Sequence, residues 1–205
     1  MAASSIRDGL WSLPKRSLTL NQTQAPAHLT IIMRNKLLIV FLAVLGLFSP
    51  PVLGRTFTQG NFSFQTLPGQ GNRVSISVPT PANVTGDVTI PATVTDSDTT
   101  YAVTEIAAKG FFKVKANAIT VPPSIVKMGS MAFQSASCKK VVISDVKAWC
   151  GIQFVNNISN PLYWASHIYL GDNEITDLTV PEGLTSIGDD AFIWASALNS
   201  VKLPE

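Results

Sequence analysis

The sequence predicts a mainly β solenoid of short strands joined by helical or 3-10 turns, and three observations predict it. First, a degenerate unit of about 22 residues recurs as VPPSIVKMGSMAF (121–133), VPEGLTSIGDDAF (180–192) and a weaker half-copy, YAVTEIAAKGFF (101–112). Periods of this size mark stacked units that share one continuous core. Second, five short segments share one register: VTIP (88–91), ITVP (119–122), VVIS (141–144), LTVP (178–181) and VKLP (201–204). In each, two apolar residues lie two apart and point to one face, the signature of a strand. Pro closes four of the five, and a residue without an N–H suits a strand end. Third, Gly129 and Gly188 each precede an Ala-Phe pair, Ala132-Phe133 and Ala191-Phe192. The Gly is expected to turn sharply with positive φ. The Ala allows close approach, and the Phe is expected to fill the shared core, at a cost of about 3–5 kcal/mol if truncated.

Taken in order, the chain opens on residues 1–32, which are polar, lack apolar periodicity and give no reason to fold. Residues 33–54 carry Arg34 and Lys36, an apolar run LLIVFLAVLGLF (37–48), and then Ser49-Pro50-Pro51 and Val52-Leu53-Gly54. This is the three-part pattern of a secretory signal. The run is shorter than the roughly 20 apolar residues that span a bilayer, so no membrane span is expected once the signal is removed; an uncleaved anchor and a buried helix are the competing readings. Met33 directly opens the signal pattern, which makes it a natural start and 1–32 a misassigned extension. Residues 55–87 read as an entry cap: FTQGNFSF (57–64) and RVSISV (73–78) alternate around the loop LPGQGN (67–72), as a β-hairpin does. Residues 88–205 read as the repeats. Their strand ends are spaced 31, 22, 37 and 23 residues apart, so two spacings are single units and two hold insertions. The longer insertion, 145–177, holds Trp149, Phe154, Tyr163, Trp164 and Tyr169, and YLGDNEIT (169–176) within it reads as a hairpin tip.

Charge narrows the partners. The whole chain is +2, but residues 55–205 hold 10 basic and 12 acidic residues. With no run of Lys or Arg left, nucleic acid is not an expected partner. Cys138 sits five residues before a strand end, where Ile175 and Leu198 sit in other units, so it reads as a small core hydrophobe. A Cys138–Cys150 bridge and a zinc site are the lesser readings.

Catalysis has little to work with. Beyond residue 54 there is one histidine, His167, and a nucleophilic site would have to use it. It lies in ASHIYL and reads as part of a half-buried strand. Asp189-Asp190 read as a solvated turn. Asp172, Glu174 and Asp177 are a weak calcium candidate without the Asp-rich loop such sites use. No metal, cofactor or catalytic residue is therefore assigned, and the chain is expected not to be an enzyme. The candidate binding residues are Trp149, Tyr163, Trp164 and Tyr169, because aromatic faces stack on sugars and anchor protein partners. The alternative is that they pack the insertion against the solenoid. Trp194, next to Phe192 in the helical turn, is either partly exposed or, as the favoured reading, at the core edge. Asn61, Asn83 and Asn157 open N-x-[ST] triplets.

The frame P-x5-[IM]-G-x-x-A-F followed by a short strand ending in Pro resembles the BspA-like leucine-rich repeat. The stretch from VKAWCGIQF to NPLYWASHIYLGDNEITDLTVPEGLTSIGDDAF resembles a recurrent module of that family, and FTQGNFSFQTLPGQGNRVSISV resembles the hairpin that precedes its arrays. The likeness covers about 57–205. It implies a leucine-rich-repeat solenoid with an N-terminal β-hairpin cap, in an exported or cell-surface protein. The expected function is non-catalytic: a surface for protein or glycan binding, with adhesion as the family role. Alternatives are a piece of a longer array without activity of its own, and an accessory module of a secreted hydrolase. The family has no fixed catalytic or binding motif, so no residue roles transfer. Two departures stand out. Ser144 replaces the usual strand-end Pro, and the chain stops at Glu205 directly after a strand, where further repeats or a partner chain are expected to cover the edge.

Overall fold

A computed structural model describes residues 54–204. The expected extension 1–32 and nearly all of the expected signal 33–54 lie outside the described residues. Short strands dominate, with two brief α-helices and two 3-10 turns among the described residues. No helix among them is long and apolar enough to cross a membrane.

The entry segment is a three-stranded meander: β1 (Thr56–Gln59), β2 (Phe62–Thr66) and β3 (Arg73–Ser77), each antiparallel to the next. The β2–β3 hairpin closes around 67–72 as the sequence predicts. FTQGNFSF, however, is not one strand: Gly60, at φ 58, turns it back on itself. β3 then runs parallel to β6 (Thr99–Ile106), which starts the stack.

Two parallel ladders carry the solenoid. One joins β3, β6, β8 (Lys127–Met128) and β10 (Gln153–Phe154), with β5 (Thr93–Asp96) folded antiparallel onto β6. The other joins β4 (Asp87–Thr89), β7 (Ala118–Val121), β9 (Lys140–Ile143) and β11 (Ile168–Leu170). β12 (Asn173–Glu174) turns back antiparallel on β11 and ends this ladder. A separate parallel pair, β13 (Asp177–Thr179) and β14 (Ser200–Lys202), forms the last coil.

Residues 145–177, expected to interrupt the array, carry both ladders onward instead. β10 pairs in parallel with β8, and β11 with β9. Ser144 is what disguises this coil. Without the strand-end Pro, Asp145 accepts a hydrogen bond from Ala148 N–H at 3.0 Å and caps α1 (Val146–Cys150). A helix then fills the place of the open turn found in the preceding coil. Only the β11–β12 tip is extra.

The glycines act otherwise than expected. Neither Gly129 nor Gly188 has positive φ. A Cβ on Gly129 would lie 2.6 Å from Ala108 N, and one on Gly188 2.7 Å from Ile152 O. They are glycines because successive coils touch there. Positive φ falls instead on Met131 and Asp190, two residues later in each copy. In the earlier half-copy it falls on Lys109.

Apolar residues of both ladders and the turns between them form one core. A row of rings runs through it: Phe133 against Phe111 at 5.1 Å, Phe111 against Phe62 at 6.3 Å, then Phe64, Phe57 and Tyr101. Aromatic pairs at this range stabilise by about 0.5–1.5 kcal/mol beyond area burial. Phe133 is fully buried, as predicted, but Phe192 is only half-buried. Cys138 and Cys150 are both buried free thiols, as the core reading of Cys138 requires.

Candidate functional site

The site is best built from the third coil outward. After β10 the chain makes a 3-10 turn, Asn157–Ser159, and then α2 (Leu162–Ala165). Two fully buried polar residues hold this corner. Ser159 Oγ donates to Asn156 Oδ1 at 2.6 Å and accepts Asn156 N–H at 3.2 Å. Asn160 Nδ2 donates to Asp190 O at 2.8 Å and to Ala191 O at 3.3 Å, while its Oδ1 accepts Leu162 N–H at 2.8 Å. Most buried polar groups are paired in this way. Asn160 therefore starts α2 and also ties the third coil to the last one.

Trp149 completes that tie. It is 1% exposed and donates Nε1–H to Ala191 O at 2.8 Å. Its ring meets Phe154 edge-on at 5.4 Å. It is a core residue, and its burial removes it from any ligand surface. Its place in the candidate binding set is therefore corrected to a structural one.

Tyr163 and Trp164 follow on α2. Their rings meet at 5.1 Å, and Tyr163 stands edge-on to Trp194 at 6.3 Å. Trp164 is half inside, with its indole nitrogen shielded from solvent. Trp194 is 65% exposed, at φ 56, in the turn of the last coil. Of the two readings of Trp194, exposure holds and the favoured core edge does not. The residue after Phe192-Ile193 takes a left-handed backbone, and this aims its side chain outward. The structure thus gathers Tyr163, Trp164 and Trp194 on adjacent coils.

Tyr169 belongs to different surroundings. On β11 its ring receives Lys140 Nζ at 4.9 Å, and its hydroxyl donates to Glu174 Oε2 at 3.3 Å. Partial desolvation first, then the Glu174 charge and this hydrogen bond, push its phenol above the usual range. His167 Nδ1 lies 2.6 Å from Glu174 Oε1. His167 is exposed rather than half-buried, and Glu174 links it to Tyr169 across the hairpin. The arrangement is a surface cross-link between strands of the kind that pins a hairpin.

Asp189 and Asp190 are exposed turn residues. No group of three or more His, Cys, Asp or Glu is placed to hold a metal ion among the described residues. Asn61, Asn83 and Asn157 all face solvent.

Against known families, the model for the BspA type leucine rich repeat region matches residues 91–161 and 163–205, in six copies. The chain belongs to that family. The match runs through the coil disguised by Ser144 and α1, in agreement with the ladders. Among solved structures, a leucine rich cell surface protein from Faecalibacterium prausnitzii is similar at 23% identity and a TM-score of 0.43. The match covers 77% of this chain and 44% of that one, so this chain spans less than half of that protein. A leucine-rich repeat protein from Bacteroides capillosus is similar at 19% identity, with 73% of this chain and 99% of that one covered and a TM-score of 0.38. One from Bacteroides ovatus is similar at 21%, covering 72% and 41%, with a TM-score of 0.37. No curated protein matches the chain significantly.

Proposed function

We propose that this repeat protein is exported and works without catalysis, presenting the Tyr163–Trp164–Trp194 surface to a protein or glycan partner in adhesion. The observation that supports this is Trp194 itself. An indole 65% exposed, on a turn held by the Trp149 and Asn160 bonds to Ala191 and touching the rest of the molecule edge-on at Tyr163, leaves most of its apolar surface in water. Large aromatics held rigidly at a surface lose little entropy on binding and dominate interface energies. The edge-on Tyr163 limits how Trp194 can turn, so a flat apolar sugar face or a partner side chain meets a preset plane.

The non-catalytic part of the reading is supported by what His167 does. Its ring pairs with Glu174, and Glu174 is shared with the Tyr169 phenol rather than with a Ser or Cys nucleophile. The experiment is a screen of the full chain against a glycan array and a set of matrix proteins, alongside a general hydrolase panel. Binding that falls about tenfold or more in Trp194→Ala, a hot-spot loss of about 1.4 kcal/mol or more, supports the proposal. Hydrolysis abolished by His167→Ala would refute its non-catalytic part.

A further inference from the structure

Net charge hides a local feature of the second face. Residues 113–117 and 135–139 run side by side in adjacent coils, each opening in a left-handed turn at Lys113 (φ 60) and Ser135 (φ 59), with inward and outward side chains alternating after it. Lys115 bridges Ser137 in parallel, Lys113 N–H donates to Gln134 O at 3.1 Å, and Lys139 N–H donates to Asn117 O at 3.0 Å. Val114, Ala136 and Cys138 point inward and are buried. Lys113, Lys115, Asn117, Ser135, Ser137 and Lys139 point outward and are all exposed. This face presents ammonium, hydroxyl and amide groups and no carboxylate. None of its lysines is in a salt bridge among the described residues, where the ion pairs are Arg55–Asp96 and His167–Glu174. Lys113 Nζ rests 5.0 Å over the Phe112 ring, which holds one ammonium in place. Lys140 borders the face, in register with Ala118.

Where the Lys115–Ser137 bridge holds the two coils in register, they lie about 4.8 Å apart. Lys113 and Lys115 on one coil and Lys139 on the next thus offer ammonium groups on neighbouring coils to an extended anionic chain, with the Ser135, Ser137 and Asn117 side chains between them as hydrogen-bonding groups. We propose that this face binds an anionic polysaccharide, one bearing sulfate or uronate groups. The other polyanions fit less well. The face carries one half-buried ring, Phe112, already covered by Lys113 Nζ, which is too little for a base-stacking platform or for entry into a lipid surface. The proposal involves none of the residues of the aromatic surface, so the two stand or fall separately.

The test uses the full chain and three probes: heparin, neutral dextran and duplex DNA. It compares the wild type, a face variant (Lys113→Gln, Lys115→Gln, Lys139→Gln) and a charge-matched control (Lys127→Gln, Lys147→Gln, Lys202→Gln). The wild type is expected to bind heparin, but not dextran, at about 0.15 M salt. Affinity should weaken as salt rises. The face variant should lose about tenfold or more in affinity with an unchanged melting transition, while the control keeps most of it. No heparin binding by the wild type, equal losses in face variant and control, or DNA bound as tightly as heparin would each overturn the proposal.

Discussion

At the scale of single residues, burial separates side chains that the sequence presents as equals. Phe133 and Phe192 occupy the same repeat position, yet only Phe133 is fully enclosed. Phe133→Ala is expected to cost about 3–5 kcal/mol. Phe192→Ala, which removes a ring packed against the core but still partly in water, is expected to cost less, about 2–3 kcal/mol. Urea unfolding of the two variants measures the difference. The cysteines give a second contrast. Burial pushes the Cys138 thiol up to about 12. The Cys150 thiol is raised as well, by burial first and then by the Asp145 charge. Since the thiolate is the reactive form, both are expected to resist alkylation in the folded chain at neutral pH and to react at once in denaturant. Mass spectrometry after an iodoacetamide pulse reads this directly; rapid labelling of the native protein would contradict their placement.

At the scale of elements, the ladders explain what could be read in advance. All five Pro- or Ser-terminated strands exist, because a period-2 pair ending in a residue that stops the ladder is a local signal. The third coil was not legible, because α1 replaces an open turn and Asp145 is its only announcement. The glycines were legible as positions but not as causes, since only the neighbouring coil shows that their Cβ would strike backbone. Gly129→Ala is therefore expected to lower the melting transition even though its φ suits alanine, while Gly151→Ala, with 3.5 Å to its nearest neighbour, is expected to be mild. In the last coil, Asp177 joins β13 to β14. The Ser200 hydroxyl, followed by that of Thr176, holds its carboxyl below the ordinary 3.8 against a smaller opposing desolvation. A carboxylate depressed on folding contributes stability that is complete above 3.8 and is lost as pH falls through its folded value. Amides of β13 and β14 are expected to lose exchange protection on acidification through that range, and Ser200→Ala should move the loss to higher pH.

At the scale of the whole molecule, the coils differ in charge as well as in packing. Residues 106–147 hold seven lysines against Asp145 alone, while 172–204 hold six acids against Lys202. Summed over the chain these nearly cancel, which is why composition gave no hint of a basic face. The candidate aromatic site was half legible. Tyr163 and Trp164 were found because aromatics crowd that segment. Trp149 and Trp194 look alike in the sequence, because which ring faces water depends on the backbone turn and on the carbonyl of Ala191. The functional proposal therefore rests on a division of labour: Trp149 builds the molecule and Trp194 meets the partner. The most direct measurement follows Trp194→Ala through thermal unfolding and partner binding together. Binding lost with the melting transition unmoved is the expected result. A lowered transition with binding intact would contradict it and return Trp194 to the core.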